Sequence, residues 1–191
     1  MHKCSNDKIY KLYINIYPWI RGFIKSLFFK AFRKNIVIGK GARIKRNIEW
    51  RLFPGCCLFC GRNLIVGKDT TINIARNAAL RMGDNVGIGN RCQIVSHKYI
   101  EIGEGTILAP NVMIYDHNHI FDTQNGVYQR EFSDDEIVIG KNCWIGASAI
   151  ILKGVHIGDR CIIGAGSLVI KDIPDNSVAV GSPAKVIKKI Q

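Results

Sequence analysis

Aliphatic residues recur every six positions over the C-terminal half of the chain. They stand at Ile139, Ile145, Ile151, Ile157, Ile163 and Val169, and glycine follows four of them. Earlier runs keep the same spacing but slip in phase from one to the next: Ile38 and Ile44; Val66 and Ile72; Met82, Ile88 and Ile94; Ile102, Leu108 and Ile114. A period of six matches neither the 3.6-residue period of an α-helix nor the two-residue alternation of a strand. The pattern therefore favours neither a helical domain nor a simple β-sandwich.

The six-residue period predicts a triangular β-solenoid. Each flat face takes about six residues, so three faces make one coil of about 18 residues. The aliphatic residue points into the prism, and the glycine or other small or polar residue after it lies at the corner, where it tolerates the unusual backbone turn. We expect roughly eight coils between Ile36 and Gly181, paired with their neighbours as parallel strands. The predicted boundaries are 1–35 for an N-terminal segment, 36–182 for the solenoid and 183–191 for a tail.

One polar segment, 117–136, interrupts the repeat between the inward positions Ile114 and Ile139. It has no aliphatic register, and it contains His117 and His119. A loop of about twenty residues in a compact domain usually has a function. We therefore expect this segment to protrude from one corner of the prism and to carry the chemistry.

The segment before the repeats is basic, and an amphipathic helix is predicted over 19–33 with Pro18 at its start. Six residues share one face by i, i+3, i+4 spacing: Ile20, Phe23, Ile24, Leu27, Phe28 and Ala31. Two roles for this face stay open. It can pack over the open end of the prism and cover strand edges there, or it can attach to an anionic membrane. The tail after Pro183 is expected to fold back along the prism as a short strand or helical turn.

Charge and composition narrow the choice of partners. The 191 residues include 27 Lys and Arg against 15 Asp and Glu, a net charge of +12, and 47% of the residues are hydrophobic. This composition indicates a folded domain, and the charge favours nucleic acid, an acidic membrane or a phosphate-bearing cofactor. A nucleic-acid binder would need a recognition helix or exposed aromatic residues on a basic sheet, and the sequence suggests neither. Charges also interrupt every stretch before the ~18–20 apolar residues that a membrane span requires.

The seven cysteines are expected to be reduced. The sequence has no recognisable signal peptide, and an odd cysteine count without export indicates a cytoplasmic protein. Cys57 and Cys60 form a lone CxxC, without two further ligands at a spacing suited to zinc. We therefore expect buried, inert cysteines and no metal.

The repeat, the histidine-bearing loop and four motifs together resemble the hexapeptide-repeat O-acetyltransferases. The resemblance covers about 36–190 and rests on Lys141–Gly146, Ile163–Ser167, Lys171–Pro174 and Gly181–Val186. The family includes maltose, galactoside and streptogramin acetyltransferases and enzymes that acetylate bacterial surface polysaccharides. The resemblance implies a left-handed parallel β-helix, acetyl-CoA as the acetyl donor, and a homotrimer with active sites between neighbouring prisms.

The resemblance also implies roles for particular residues. A loop histidine of the family acts as the general base toward the acceptor hydroxyl, a task that suits an imidazole with its ordinary pKa of ~6.5. His119 falls on that position, and His117 is the competing candidate. The cofactor-binding positions of the family correspond to Trp144 near the acetyl group, Ala147 and Ala165 beside the pantetheine arm, and Lys171 and Lys188 facing the nucleotide phosphates.

Acceptor contacts are expected from Asn90, His97 and Asp116. Sugar acetyltransferases of the family carry a polar acceptor-binding residue near Asn90 and an acidic one near His97. The second position differs here, which argues against carrying galactoside or maltose over as the substrate.

The sequence therefore predicts acetyl-CoA-dependent O-acetylation of a sugar hydroxyl in capsule, O-antigen or exopolysaccharide synthesis. The acceptor would be a saccharide or a lipid-linked saccharide, and the site of action the cytoplasm or the inner face of its membrane. Four rival interpretations stay open. These are a streptogramin- or chloramphenicol-type antibiotic O-acetyltransferase, an amino-sugar N-acetyltransferase, a non-catalytic β-helix assembly module, and a carbonic-anhydrase type with zinc on His97, His117 and His119.

Overall fold

A computed structural model of the protein describes the backbone of residues 7–32 and 34–190 and the side chains of 16–31 and 34–190. One helix, α1 (Asp7–Phe32), precedes six three-stranded coils. The first three coils are β1 (Ile36–Ile38), β2 (Arg43–Ile44), β3 (Glu49–Leu52); β4 (Cys57–Cys60), β5 (Ile65–Val66), β6 (Thr71–Ile74); and β7 (Ala79–Met82), β8 (Gly87–Ile88), β9 (Gln93–Ser96). The fourth coil is β10 (Tyr99–Ile102), β11 (Ile107–Leu108) and β12 (Met113–Tyr115), and it is followed by two strands outside the prism, β13 (His117–Asp122) and β14 (Gly126–Asp134). The remaining strands are β15 (Ile137–Ile139), β16 (Trp144–Ile145), β17 (Ile150–Leu152); β18 (His156–Ile157), β19 (Ile162–Ile163), β20 (Leu168–Val169); and β21 (Ser177–Gly181), β22 (Ala184–Lys189).

The coils stack into a prism with three parallel faces. The first face contains β1, β4, β7, β10, β15 and β18; the second contains β2, β5, β8, β11, β16, β19 and β21; the third contains β3, β6, β9, β12, β17 and β20. Each strand contributes inward aliphatic side chains, and those of the second face form one buried column: Ile44, Val66, Ile88, Leu108, Ile145, Ile163 and Ala179. The predicted left-handed parallel β-helix is confirmed.

The prediction of roughly eight coils is too high, because the early coils are longer than 18 residues. Ile36 pairs with Leu58, which is 22 residues further on, whereas Val138 pairs with His156 after 18. These extra corner residues cause the phase slips in the sequence pattern. The prism therefore has six complete coils, and Ile173, which bridges to Ile157 on the first face, and β21 on the second face form part of a seventh turn.

The glycines that follow the aliphatic residues serve close packing between coils rather than the turn itself. A Cβ on Gly146 would lie 2.5 Å from the backbone nitrogen of Ala165 in the next coil. The left-handed turn comes two residues later, at Ser148 with φ 60°. Asparagine takes many of these positions, and Asn63 donates from Nδ2 to Oδ1 of Asn85 one coil above. The expected corner role of those glycines is therefore corrected to close approach between backbones.

Helix α1 differs from its prediction in extent and in the face that it buries. It begins at Asp7, so Pro18 lies inside it rather than at its start. The helix packs over the first coil through Pro18, Gly22 and Phe29, and a Cβ on Gly22 would lie 2.0 Å from the Ala42 carbonyl oxygen. The expected apolar face points away from the prism: Ile20, Phe23, Ile24, Leu27 and Phe28 are 41–58% exposed. The helix does lie against the first coil, but with its opposite side.

The C-terminal tail folds back along the prism. Strand β22 folds back antiparallel to β21, as expected of the tail.

The cysteines of the described region have free thiols, and all are buried except Cys57, so the expectation of burial is wrong for that one residue. Burial raises the pKa of the Cys143 thiol to about 11. Cys4 lies outside the described residues. Within the described part of the chain, no helix has the length and hydropathy to span a bilayer.

Candidate active site

The polar segment leaves the prism at the corner between the third and first faces. It protrudes from the corner as expected of the predicted loop, and it is built as an antiparallel hairpin of β13 and β14. Its turn is held by Asp122, which accepts hydrogen bonds from the backbone N–H groups of Gln124 and Asn125 and from the hydroxyl of Tyr128. These bonds, that of Tyr128 foremost, lower the pKa of Asp122 to about 2. The strand pairing and the turn therefore fix the positions of the side chains on this hairpin, which is called the arm below.

A buried carboxylate anchors the base of this arm. Asp116 is fully buried and accepts hydrogen bonds from the hydroxyl of Ser96 (3.0 Å) and from the backbone N–H groups of His97 (2.7 Å), Lys98 (2.9 Å) and Tyr99 (3.0 Å). Burial pushes the pKa of this carboxyl up, but the nearby imidazole of His117 and the hydrogen bonds from the backbone and from Ser96 outweigh it, so the pKa is lowered. Asp116 is therefore ionised at neutral pH and joins the corner turns of two adjacent coils.

This burial bears on the acceptor contact expected of Asp116. Its side chain has no surface exposed to solvent. Both carboxylate oxygens already accept hydrogen bonds from the backbone N–H groups of His97 and Lys98. A sugar cannot reach it without displacing those bonds. The structure thus corrects the expected role of Asp116 from substrate contact to support of the arm.

Two imidazoles stack above Asp116. His97 and His117 occupy the same corner of adjacent coils, with ring centroids 3.7 Å apart and planes 7° from parallel. Burial, and then the neighbouring His117, lower the pKa of His97, so that ring is neutral at pH 7. His117 Nδ1 lies 3.5 Å from Asp116 Oδ1, too far for a strong hydrogen bond, and this nitrogen has no other hydrogen-bond partner. His117 is consequently held by packing, with only 15% of its side chain exposed.

Phe132, which sequence reasoning missed, packs against all three histidines of the corner. Its ring centroid lies 4.5 Å from that of His97, 5.4 Å from that of His117 and 4.6 Å from that of His119. It stands opposite His119 in the hairpin. The Asn125-Gly126 pair is a common hairpin signal and could have revealed this pairing, because folding the segment about that turn brings the two residues together.

His119 differs from the other two histidines in its access. Its side chain is exposed on β13, and Nδ1 lies 3.3 Å from the carbonyl oxygen of Tyr128 on β14. With the proton on Nδ1, the ring donates to that carbonyl and Nε2 keeps its lone pair. The arrangement can therefore present a neutral imidazole nitrogen to a molecule outside the hairpin.

The predicted cofactor positions lie away from this histidine corner, with one exception. Trp144 is 56% exposed on the second face, and Ala147 and Ala165 lie in stacked turns between the second and third faces, where the Gly166 N–H donates to the Ala147 carbonyl. Lys188 is exposed on β22 at the edge of the second face. Lys171 follows β20 and shares the corner of His97 three coils further along the prism. A single chain therefore does not bring His119 and the two alanines together.

The remaining predicted acceptor and metal positions are also located. Asn90 is half-buried, and its side-chain oxygen accepts from the Lys68 N–H at 3.0 Å. His97 is half-buried beneath Phe132. Among the described residues, no group of three or more His, Cys, Asp or Glu side chains is arranged to hold a metal ion.

With the prism and its histidine corner defined, comparison with known proteins identifies the class. A model of the bacterial transferase hexapeptide (six repeats) matches residues 136–171. A protein of Escherichia coli (strain K12) named for O-acetyl transfer in lipopolysaccharide biosynthesis is 32% identical over 137 residues, which are 68% of this chain and 70% of the relative. The chain belongs to the hexapeptide-repeat acyltransferase family.

Two further similar proteins, one of them a solved structure, match different shares of this chain and of their own length. A protein of Mycobacterium tuberculosis named as an acetyltransferase is 34% identical over 177 residues, covering 91% of this chain but only 59% of the relative. The chain thus spans little more than half the length of that relative. A hexapeptide-repeat acetyltransferase of Vibrio cholerae, solved with acetyl-coenzyme A, superposes with a TM-score of 0.63 at 26% identity and 72% coverage of both chains.

Proposed function

We propose that the protein transfers the acetyl group of acetyl-CoA to a sugar hydroxyl, in the synthesis of a capsule, O-antigen or exopolysaccharide. The observation that carries this proposal is the exposed His119, whose Nδ1 faces a backbone carbonyl and whose Nε2 is free to accept a proton. The relatives named for acetyl transfer, one of them in lipopolysaccharide biosynthesis, support the choice of donor and of acceptor class.

The proposed reaction needs one base and no covalent enzyme intermediate. Nε2 of His119 takes the proton of the acceptor hydroxyl while that oxygen attacks the thioester carbonyl of acetyl-CoA. The tetrahedral oxyanion then collapses, the C–S bond breaks, and the leaving CoA thiolate takes the proton back from the imidazolium. Products are the acetyl ester and CoA with its thiol, and positioning of the two substrates supplies much of the rate.

His117 is proposed to act as a positioning residue. Its ring stacks on that of His97 and meets the ring of Phe132 at a steep angle, and only a small part of it is open to solvent. A general base must reach within about 2.6–3.2 Å of the proton that it abstracts. His119 meets that requirement more easily than His117 does, because its side chain is exposed whereas that of His117 is largely covered.

We propose that acetyl-CoA binds along the turns of Ala147 and Ala165. The side chains there are small, so the pantetheine arm can approach the backbone closely. Lys171 and Lys188 are exposed cations suited to the nucleotide phosphates, and the indole of Trp144 is exposed for contact near the acetyl group. Asn90 and His97 are the proposed acceptor contacts that remain once Asp116 is assigned to support.

The test of this function uses the purified chain with radiolabelled acetyl-CoA and three acceptor sets: neutral glycosides, amino sugars, and a streptogramin or chloramphenicol. We expect label in the glycosides, released by mild alkali because esters are cleaved there whereas amides persist. Alkali-stable label in amino sugars would replace O-transfer by N-transfer. Label in the antibiotic alone would favour the drug-modifying alternative, and no transfer to any acceptor would support a non-catalytic assembly module.

We also propose that the active protein is a homotrimer, because the histidine corner and the alanine turns can meet only between two chains. Light scattering is expected to give the mass of three 21.4 kDa chains. Co-expressed His119→Ala and Ala165→Trp chains, each inactive alone, should regain about a quarter of the active sites by random mixing in a cyclic assembly. A strictly monomeric, fully active protein would contradict the shared site.

The proposed setting of the protein is the cytoplasm, with peripheral association at the inner face of the membrane.

A further inference from the structure

The positive charge of the protein is concentrated at one end of the prism. Residues 16–31 and 34–48, whose side chains are described, contain eight Lys and Arg and no acidic residue, a net charge of +8, whereas residues 49–190 contain 15 against 14, a net charge of +1. No Asp or Glu stands between Asp7 and Glu49. In the structure this stretch is α1 together with the first coil, since α1 packs over β1 and β2.

The same end carries a continuous apolar face on α1. Its side chains recur at i, i+3, i+4, i+7, i+8 and i+11 and are 41–58% exposed: Ile16, Trp19, Ile20, Phe23, Ile24 and Leu27. Trp19 and Phe23 stack with ring centroids 5.7 Å apart. The helix meets the prism with its other side, through Gly22 and Phe29. About half of each of these side chains therefore stays exposed although the helix is packed on the prism.

A groove beside this face combines apolar and cationic lining. It runs between α1 and β1, has a volume of about 540 Å³, and is lined by Leu27, Lys30, Lys34, Val37 and Lys40 among others. The three lysine side chains are exposed. A lining that combines apolar side chains with three ammonium groups matches an amphiphile that has an acyl part and an anionic headgroup.

We propose that this end of the prism lies on an anionic lipid bilayer, with α1 in the plane of the interface and its apolar face inserted among the headgroups and upper acyl chains. Amphipathic helices with aromatic and aliphatic residues on one side and basic residues around them bind in this way. The helix of the described chain is not apolar enough to span the bilayer, so it rests on the surface.

Charge decides between a bilayer and a second copy of this chain as the occupant. Apposing two copies of this end would bring together two surfaces with no acidic residue between Ile16 and Ile48, so like charges would repel. An anionic bilayer instead supplies the missing negative charge. The inference concerns a surface separate from the histidine corner and does not depend on the proposed acetyl transfer.

The experiment measures co-sedimentation of the full chain with vesicles of phosphatidylethanolamine and phosphatidylglycerol, against vesicles of phosphatidylcholine. We expect binding to the anionic vesicles that is at least tenfold stronger and that weakens with salt. Phe23→Glu should reduce it at least tenfold, whereas Ile187→Glu, a matched change of an exposed residue at the far end of the chain, should not. Lys30→Gln with Lys34→Gln should also weaken it, and Arg76→Gln with Lys141→Gln should have a much smaller effect.

Acetyl transfer to a soluble acceptor is the second readout. Phe23→Glu should leave it unchanged, which separates loss of membrane binding from misfolding and from any failure of the proposed reaction. Equal binding of wild type and Phe23→Glu, or equal binding to neutral and anionic vesicles, would overturn the proposal. So would a change of oligomeric mass in Phe23→Glu, because the face would then be an interface between copies.

Discussion

Replacement of His119 by alanine is expected to reduce kcat for acetyl transfer by about 10²–10⁴-fold, the contribution typical of a positioned general base. KM for acetyl-CoA should change little, because His119 is proposed to take the proton of the acceptor hydroxyl and not to hold the cofactor. The side chain is exposed, so its removal should not unfold the protein. Steady-state kinetics and calorimetric titration with CoA measure the two effects separately.

The matched variant is His117→Ala, which removes the other histidine of the hairpin. We expect a smaller loss, about tenfold, because Phe132 and the arm lose the ring that they pack against while the base remains. A hydrophobic ring of similar shape in His117→Phe should recover part of the rate. The opposite order, with His117→Ala inactive and His119→Ala active, would move the base to His117 and refute the present assignment.

The Asp116→Ala substitution is expected to lower the free energy of unfolding by about 3 kcal/mol or more, since each buried donor left unpaired costs about 1–3 kcal/mol. Three backbone N–H groups and the Ser96 hydroxyl would lose their acceptor. Activity should fall as well, because the base of the His119 arm is no longer fixed. Chemical denaturation and kinetics of the same sample measure both, and Glu104→Ala, which removes an exposed carboxylate, should change neither.

The pH dependence of stability gives an independent test of the same group. The pKa of Asp116 is lowered in the folded protein, and an unfolded aspartate has a pKa of about 3.9. Its ionised form therefore stabilises the fold above that value, and this stabilisation is lost as the pH falls through the folded pKa. Asp116→Asn should flatten the acid limb of the stability profile. An unchanged acid limb would show that the carboxylate charge contributes nothing there.

The sequence predicted the prism well because its core depends on one repeated local rule. An aliphatic residue such as Ile145 must point inward whatever the coil length, so six-residue spacing identifies the fold. The number of residues in each coil is harder to predict from the sequence, because residues added at a corner leave the inward pattern on each face unchanged. Ile36 and Leu58 are 22 residues apart and still pair in register.

The histidine stack was accessible from the sequence only through coil alignment. His97 and His117 each stand three residues after an inward isoleucine, Ile94 and Ile114, which pair in neighbouring coils. Superposing those coils brings the two rings to one corner. The four donors that meet Asp116 had no such signal, because they are backbone groups and a serine hydroxyl whose partner depends on where the hairpin leaves the prism.

The orientation of α1 shows a limit of amphipathic patterns. The sequence marks an apolar stripe but not the surface that the stripe meets. Here close approach decides the packing: Gly22 lets the helix backbone come against Ala42, and Phe29 fills the opening of the first coil beside Trp50. A stripe of large side chains could not come so close, and it remains on the outside.

The hairpin leaves the prism and returns to it at the same corner, so the coils on either side pair as though nothing lay between them: Tyr115 with Leu152 on one face and Glu101 with Val138 on the next. The arm can therefore lengthen, shorten or change sequence without disturbing the core, because each coil depends only on its neighbours. If the arm contacts the acceptor as proposed, changes in acceptor contacts and changes in the fold fall on different residues. A scaffold of this kind can then carry different arms while its proposed donor-binding turns stay as they are.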